Sequence, residues 1–327
     1  MANAIDKVNG IAITDIQAIN GKTDDNIQAL NGKELTGTVL VTATGGSEAT
    51  DGDYKVRTFT SDATLEFTGG AGGTFDYLVI AGGGAGGSVT DNYVFHCGGG
   101  GAGGRIYVTG ATVVETTYPI VIGAGGAPVS NNEGASGEDT TLLQTSGSGV
   151  QATAVGGGGG ASSENSGHDG TANDGGSGGG GASWRNNAGG DGTTDQGNDG
   201  GDGEYGGNRR SAGGGGAGAA GQNGSASGHA QHSAVGGDGT ADSITGSSVT
   251  RAGGGGGGGV SDGYRPLGGS GGGGNGGKGS YNVPDGSGTD GTNGLGGGGG
   301  GAGGGYTYDT SGGNGGDGLV IVRYQFQ

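Results

Sequence analysis

The stretch Phe75-Asp76-Tyr77-Leu78-Val79-Ile80-Ala81-Gly82-Gly83-Gly84-Ala85-Gly86-Gly87 decides the fold, because it joins the two kinds of sequence from which the chain is built. Its first half is rich in aromatic and β-branched residues and predicts a β-strand. Its second half is almost all glycine, which ordinary strands and helices disfavour. A strand that runs directly into a glycine run predicts a protein in which β-sheet and glycine-rich structure are fused.

Glycine makes an ordinary hydrophobic core impossible over most of the chain. It supplies 99 of the 327 residues, whereas only 28% are hydrophobic. Collagen is excluded because it needs glycine at every third position and abundant proline, and this chain has 4 prolines and unbroken runs such as Gly253–Gly259. A disordered linker is the remaining alternative. The chain ends, however, in a strand-forming segment, Leu319–Tyr324, so we expect the glycine runs to fold back and return it to a sheet.

The predicted fold class is mainly β with a polyglycine II helix bundle and little regular α-helix. A polyglycine II helix has three residues per turn and no internal hydrogen bonds, so its amide and carbonyl groups must pair with neighbouring helices. Side chains would block that approach, and a change such as Gly256→Val should prevent packing. Small residues within the runs, such as Ala102 and Ala217, are expected to point outward.

Three regions follow from the distribution of these patterns: an N-terminal repeat module (residues 1–37), a β-rich region with the first glycine runs (38–155), and a glycine-rich region with a closing strand (156–327). Composition and alternation predict strands at Val39–Thr42, Tyr54–Thr60, Thr64–Thr68, Phe75–Ile80, Arg105–Val114 and Tyr118–Ile122.

The N-terminal module repeats three times with a period of eleven residues, and each copy stops at an Asn-Gly pair. The spacing of two apolar residues three apart predicts a short helical turn, and Asn-Gly suits a left-handed helix cap. The apolar positions are Ile5, Val8, Ile16, Ile19, Ile27 and Leu30. Because such turns are too short to stand alone, they predict either a self-stacked cap or a module for attachment or oligomerisation.

Charge and hydropathy exclude several classes of partner. The formal net charge of −18 argues against nucleic acid, whose phosphates require clustered Lys and Arg. The longest apolar stretches, such as Tyr77–Ala81, are too short to cross a membrane. The N-terminus has no apolar signal-peptide core, and Cys97 is the single cysteine. We expect a protein made in the cytoplasm, without membrane insertion.

Two motifs carry a family resemblance. The stretch Phe75–Gly87 resembles the opening of the glycine-rich domain found in many phage tail proteins, and Gly315–Tyr324 resembles its closing strand. The Asn-Gly repeats are similar to modules that precede such domains in tail fibres. The centre also looks like the glycine-rich tip adhesins of T-even-like phage fibres. This resemblance implies a virion protein whose variable loops, on a polyglycine-helix scaffold, touch a host-cell receptor. Such loops share no fixed motif, so no residue role is carried over.

Aromatic and arginine side chains between the glycine runs are the candidate receptor-binding residues. Scaffolded loops commonly carry function, and Trp, Tyr and Arg are enriched at binding hot spots. The candidates are Tyr93, Phe95, Trp184, Arg185, Tyr205, Arg209, Tyr264, Arg265, Tyr281, Tyr306 and Tyr308. The alternative is that these side chains cover the edges of the bundle or pack between protomers.

The sequence predicts no enzyme, no cofactor and no metal site. The pair His229 and His232 lacks a nearby third ligand. The segment Gly312–Val320 matches one calcium-binding nonapeptide, but that fold needs tandem copies. No nucleophile, base and acid set stands out.

The leading functional hypothesis is a phage tail-fibre or fibre-tip protein. It would bind a protein or glycan receptor on the host cell, contact other tail or fibre proteins through its N-terminus, and form a homo-oligomer. A purely structural virion or extracellular filament protein is the alternative, and an ice-binding protein is a third possibility.

Overall fold

A computed structural model describes residues 40–89, 96–130, 132–146, 149–163, 171–184, 188–205, 210–224, 234–259, 264–279, 285–304 and 310–326, and the backbone of six short strands before residue 35. This part of the chain contains β-strands and no helix. The strands are β1 Lys7–Val8, β2 Ile11–Ala12, β3 Ala18–Ile19, β4 Lys22–Thr23, β5 Ala29–Leu30, β6 Lys33–Glu34, β7 Thr42–Thr44, β8 Ser47–Asp51, β9 Tyr54–Phe59, β10 Ala63–Gly69, β11 Thr74–Ile80, β12 Arg105–Thr112, β13 Thr117–Val121, β14 Thr140–Leu143, β15 Gln151–Ala154, β16 Thr240–Asp242, β17 Val249–Arg251 and β18 Leu319–Gln325.

Two five-stranded sheets form a β-sandwich. One has the order β15-β14-β13-β10-β7 and the other β12-β11-β18-β9-β8. The closing strand β18 lies at the centre of the second sheet, where Ile321 pairs with Leu78 of β11 on one side and Thr58 of β9 on the other. The prediction that the chain returns to a sheet after the glycine runs is confirmed.

The second sheet buries both of its faces. One face packs against the first sheet around Phe67, whose ring lies 4.8 Å from that of Phe75 and 6.0 Å from that of Tyr324 between centroids. The other face packs Leu78 and Ile321 against residues of the glycine-rich region. The sequences of strands that are buried on both faces are continuous apolar runs. This explains the unbroken hydrophobic pattern of β11 and β18.

The prediction of helical turns in the N-terminal repeats is wrong. The repeats form paired strands. Val8 of β1 pairs with Ile11 of β2, and the same antiparallel register recurs between Ile19 and Lys22 and between Leu30 and Lys33. In each copy two residues, Asn and Gly, separate the paired positions. This spacing is that of a two-residue β-hairpin connection, for which Asn-Gly is the preferred sequence.

The glycine segment that follows β11 hydrogen-bonds its neighbours with a period of three residues. The amides of Gly82, Ala85 and Ser88 donate to the segment 132–138. The amides of Gly83, Gly86 and Val89 donate to the segment 310–316, and those of Gly84 and Gly87 to the segment 98–101. Successive amides therefore point to three different neighbours in turn.

The segment 97–104 lies at the centre of this bundle. Its amides donate to three neighbouring segments, and its carbonyl groups accept from three others. The neighbours on the amide side are 296–302, 155–161 and 212–215, and those on the carbonyl side are 81–87, 177–180 and 255–258. Gly99 donates to Ala212, and Ala102 donates to Gly215. Residue numbers therefore rise in the same direction in both segments, and this pair of segments runs parallel. The other five pairs run antiparallel.

Close approach of backbones explains why glycine dominates these segments. A Cβ atom on Gly100 would lie 2.1 Å from the carbonyl oxygen of Gly84, and one on Gly101 would lie 2.1 Å from that of Ser177. Such contacts leave no room for a side chain.

The alanines within the runs do not all point outward as expected. Ala102 is completely buried and packs against Leu78, Ile80 and Ile321 of the second sheet. Ala217 is half-buried and contacts the same apolar cluster. At these two positions a methyl group fills the space where the bundle meets the sheet.

Side chains at the outer surface of the bundle follow the same three-residue period. Asn314 donates its amide hydrogen to Asp290 Oδ1 at 2.8 Å, and Asp317 donates its own to Asn293 Oδ1 at 3.2 Å. Asp317 Oδ1 in turn accepts from the amide of Gly125 at 2.9 Å. Where an outer segment has no further glycine segment beside it, side-chain carboxylate and carboxamide oxygens thus accept its amide hydrogens in place of backbone carbonyl groups. Many of the acidic residues therefore stabilise the scaffold.

Candidate functional site

Sixteen described ends of glycine-rich segments, two for each of eight connections, meet at one end of the bundle, which we call the tip. Val89 pairs with Thr310, Glu204 pairs with Arg210, and the amide of Gly258 donates to the carbonyl of Cys97 at 2.8 Å. The residues at which these segments end or resume are Val89 and His96, Ser163 and Thr171, Trp184 and Ala188, Tyr205 and Arg210, Gly224 and Ala234, Gly259 and Tyr264, Gly279 and Asp285, and Gly304 and Thr310.

The β-sandwich lies at the opposite end, which we call the base. The glycine segments join its strands there, as shown by the amide of Ala81 donating to Gly104 and that of Gly104 donating to Val155. The described chain that follows the N-terminal module begins at the base as well, because the amide of Val41 donates to the carbonyl of Gln325 in β18. The bundle therefore separates the point of chain entry from the tip.

Trp184 and Tyr205 form an aromatic pair at the tip. Their ring centroids lie 5.1 Å apart with an interplanar angle of 87°, an edge-to-face contact. Tyr205 is 50% exposed although it is held by this contact. Two candidates that lie far apart in sequence are thus brought together on a solvent-facing surface.

Tyr264 and Arg265 are also at the tip. Tyr264 is half-buried, and burial raises the pKa of its hydroxyl. Arg265 forms an ion pair with Asp285 at 2.9 Å, and Lys278 contacts the same carboxylate at 3.0 Å. The hydrogen bond from Lys278, with the charge of Arg265, holds the pKa of Asp285 below its ordinary value. These contacts tie together the two ends of the segment that contains Tyr281.

The other predicted binding residues lie outside the described residues: Tyr93, Phe95, Arg185, Arg209, Tyr281, Tyr306 and Tyr308. Each belongs to a segment whose described ends are at the tip. Of the predicted attachment residues, Ile5, Ile16 and Ile27 also lie outside the described part, and Val8, Ile19 and Leu30 lie in β1, β3 and β5, described by their backbone.

The sequence analysis did not identify the buried polar residues that lie beneath the tip and connect its segment ends. His96, Ser163 and Ser183 are all buried at the ends of glycine segments, and each of the two serines is hydrogen-bonded to the backbone of His96. Arg210 is 5% exposed next to its bridge with Glu204. The signal in the sequence was a polar residue two or three positions from a glycine run, as in His96-Cys97-Gly98.

Two polar depressions lie on the flanks of the bundle near the base. One, of 240 Å³, is lined by Arg105, Asp195, Gln196 and Asn198. The other, of 470 Å³, is lined by Asp290, Asn293, Asn314 and Asp317. In both, side chains that line the depression also hold backbone amides of the scaffold, such as Gln196 Oε1 accepting from Val155 at 2.9 Å. These depressions follow from the construction of the bundle.

Within the described residues, no three His, Cys, Asp or Glu side chains are arranged to hold a metal ion, and no helix is long and apolar enough to cross a membrane.

The sequence of the chain matches the family model for the glycine-rich domain over residues 58–325. This chain belongs to the glycine-rich domain family. The match begins at the end of β9, at Thr58, and extends through β18, with every glycine segment between them. A search of curated proteins found no match to the chain. The matched region thus contains four strands of the first sheet (β10, β13, β14 and β15), three strands of the second sheet (β11, β12 and β18) and the bundle that ends at the tip.

Proposed function

We propose that the glycine segments are polyglycine II helices packed side by side. The proposal is supported by the three-residue period of hydrogen bonding and by the six neighbours of segment 97–104. A helix with three residues per turn directs successive amides about 120° apart. Buried glycines can then pair backbone to backbone, and every third residue of an outer helix faces solvent, as Ser311 and Asn314 do.

We propose that the protein is a phage tail-fibre or fibre-tip protein that binds a receptor on the host-cell surface through its tip. The observation that carries this proposal is that the described segment ends flanking eight connections converge at one end of the bundle, opposite the base. A rigid scaffold that presents several variable connections on one surface is a common arrangement for recognition.

The exposed aromatic pair supports binding to a protein or a glycan. Tyr205 offers half of its surface to solvent, and its contact with Trp184 fixes both rings before a partner arrives. Preorganised aromatic rings bind apolar protein surfaces and the faces of sugar rings with little loss of side-chain entropy. This role is binding and not catalysis.

The base and the N-terminal module would attach the protein to other tail or fibre proteins and to further copies of itself in the virion. Each N-terminal hairpin pairs only two strands in the described backbone. An isolated two-stranded hairpin is marginally stable in water, so additional contacts from a partner chain would stabilise the module.

Binding of the labelled full-length protein to a panel of bacterial strains tests this function. We expect binding to some strains, loss of that binding in Trp184→Ala and Tyr205→Ala, and retention in the control Tyr107→Ala. Tyr107 is a suitable control because it is 38% exposed but lies in β12 at the base. Absence of binding to every strain, or equal losses in all three variants, would contradict the proposal.

A further inference from the structure

The outer face of the first sheet is exposed to solvent and carries almost no charge. Alternate residues of its strands point toward the core, as Leu65, Tyr118 and Leu142 do, so the residues between them form the opposite face. Among these outward residues of the five described strands, Glu66 is the one charged residue. Threonine recurs there and occurs on every strand, as Thr42, Thr64, Thr117, Thr141 and Thr153.

One row of side chains on this face offers apolar surface. Val121 of β13 is 48% exposed and lies opposite Thr141 of β14, which in turn lies opposite Thr153 of β15. We call these three residues the Val121 row. β-Branched side chains in neighbouring strands pack beside one another and present methyl groups to solvent. The row therefore supplies apolar surface for a partner to bury.

Threonine hydroxyls elsewhere on the face hydrogen-bond to one another. The hydroxyl oxygens of Thr42 and Thr68 lie 3.1 Å apart, and those of Thr117 and Thr145 also lie 3.1 Å apart. A hydroxyl that keeps its hydrogen bond when it is covered avoids much of the cost of losing contact with water. Covering this face is therefore less costly than covering a face of charged side chains.

The flanks of the bundle have the opposite character. Their outer segments carry exposed carboxylates, each of which accepts a backbone amide hydrogen from a neighbouring segment at 2.7 or 2.8 Å. In a chain of formal net charge −18, two copies that met through the flanks would place carboxylates against carboxylates, which is unfavourable. The flank carboxylates are those of Asp174, Asp199, Asp238 and Asp290.

We propose that the outer face of the first sheet binds the same face of a second copy of this chain, with the Val121 row at the contact. This inference rests on the homo-oligomer part of the proposed function and names the surface that forms it. Both faces of the second sheet are already buried within the chain. The outer face of the first sheet is the sheet surface on which two acidic copies meet with little charge repulsion.

The size of the face sets the expected strength of this contact. Its five strands span roughly 20 Å across and 15–20 Å along the strands, which is smaller than a standard protein interface. We expect a dissociation constant on the order of micromolar for this face. Leu40 directly precedes β7, at the edge of the same sheet. The N-terminal modules of two copies therefore start from the same edge of the interface, where their contacts would strengthen it.

Sedimentation equilibrium of the full-length chain tests the interface with a matched pair of substitutions. Val121→Glu places a carboxylate in the row, whereas Val129→Glu makes the same change at a position of similar exposure, 42%, outside the sheet. We expect the wild type and Val129→Glu to dimerise equally. Val121→Glu should dimerise at least about a hundredfold more weakly, because each dimer would cover two carboxylates. Urea unfolding midpoints identify any variant that is not folded, and Thr153→Glu, at the other end of the row, is the second variant.

Glu66→Gln tests the same face with the opposite expected sign. It removes the one carboxylate from the outward positions of the described strands, and we expect dimerisation to strengthen several-fold because no charge is then covered. Unchanged or weaker dimerisation of Glu66→Gln would contradict an interface that covers this face.

The possible outcomes separate this inference from the proposed function. A wild type that stays monomeric at about 100 µM, well above the expected dissociation constant, overturns the inference together with the homo-oligomer part of the function. A wild-type dimer that Val121→Glu and Thr153→Glu leave intact overturns the interface alone. Strain binding is measured on the same proteins, and its absence in all of them would contradict receptor binding while the sedimentation data still decide the interface.

Discussion

Gly100 donates its amide hydrogen to the carbonyl oxygen of Gly299 at 2.8 Å, and Gly100's own carbonyl oxygen accepts from the amide of Gly255 at 2.8 Å. These residues belong to segments that are far apart in sequence. A single glycine thus joins three parts of the chain with backbone atoms alone. The stability of the bundle depends on many such contacts, and each of them requires that no side chain stands between the backbones.

Gly100→Ala should strongly destabilise the protein. Its Cβ would lie 2.1 Å from the carbonyl oxygen of Gly84, and a packed backbone can relax only by moving apart and weakening its hydrogen bonds. We expect a loss of at least about 1–3 kcal/mol, the usual cost of overpacking. The measurement is the free energy of unfolding in urea. The control is Gly294→Asn, since Gly294 has a φ of +73° with no atom within 4 Å of its Cβ position, and Asn tolerates that conformation.

Asp242→Asn should be among the most destabilising polar substitutions. The Asp242 side chain is 1% exposed, contacts Arg251 Nη1 at 2.8 Å and lies 3.6 Å from Arg105 Nη2. Removing its charge leaves the buried guanidinium group of Arg251 and the partly buried one of Arg105 without their counter-ion. Breaking a buried pair in this way costs roughly 3–5 kcal/mol. Urea unfolding measures the loss, and Asp290→Asn at the exposed surface should change stability by less than about 0.5 kcal/mol. Equal effects of the two variants would contradict this account.

Asp317→Ala should destabilise the outer layer more than Asp317→Asn. Asp317 Oδ1 accepts the amide hydrogen of Gly125 at 2.9 Å, and alanine leaves that amide without its acceptor. The expected cost is about 1 kcal/mol for alanine, whereas asparagine keeps a carbonyl oxygen in place. Urea unfolding of both variants separates the two effects. If asparagine were as harmful as alanine, the charge and not the hydrogen bond would be the stabilising feature.

The carboxyl group of Asp285 should titrate below its ordinary pKa of 3.8. The hydrogen bond from Lys278 and the charge of Arg265 favour its ionised form. Because the pKa is lowered in the folded state, the stabilisation is present above the ordinary value and is lost as pH falls through the lowered folded-state pKa. NMR titration of the Asp285 carboxyl carbon measures this. Lys278→Gln should raise the pKa, and high salt should do the same because the pair is exposed. An unchanged value in Lys278→Gln would contradict this account.

The strands could be predicted from sequence because they use ordinary β chemistry. Phe75–Ile80 and Leu319–Tyr324 are rich in apolar and β-branched residues, and both form strands. That these two strands are neighbours, with Leu78 opposite Ile321, could not be predicted from either segment alone. Ser47–Asp51 was missed because it is an exposed, polar edge strand. The Asn-Gly repeats were misread because the same dipeptide suits both a helix cap and a hairpin connection.

The bundle and its tip could be predicted only in part. Long glycine runs predict close backbone packing, but all runs look alike in sequence, so which segments are neighbours could not be derived. The burial of Ala102 depends on its facing the sheet. The contact between Trp184 and Tyr205 and the position of His96 likewise depend on which segments meet at the tip, a property of the assembled fold.

Site-specific blocking of the tip tests the account's central claim most directly. Cys97, the single cysteine, is completely buried, so a new surface cysteine can be labelled selectively with a bulky polyethylene glycol. Ala188 is exposed beside the tip, and Asp53 is exposed at the base. Binding to a strain recognised by the unlabelled protein is then compared between labelled Ala188→Cys and labelled Asp53→Cys. We predict that the label at position 188 abolishes binding and that the label at position 53 leaves it unchanged. Loss of binding only with the label at position 53 would contradict recognition through the tip.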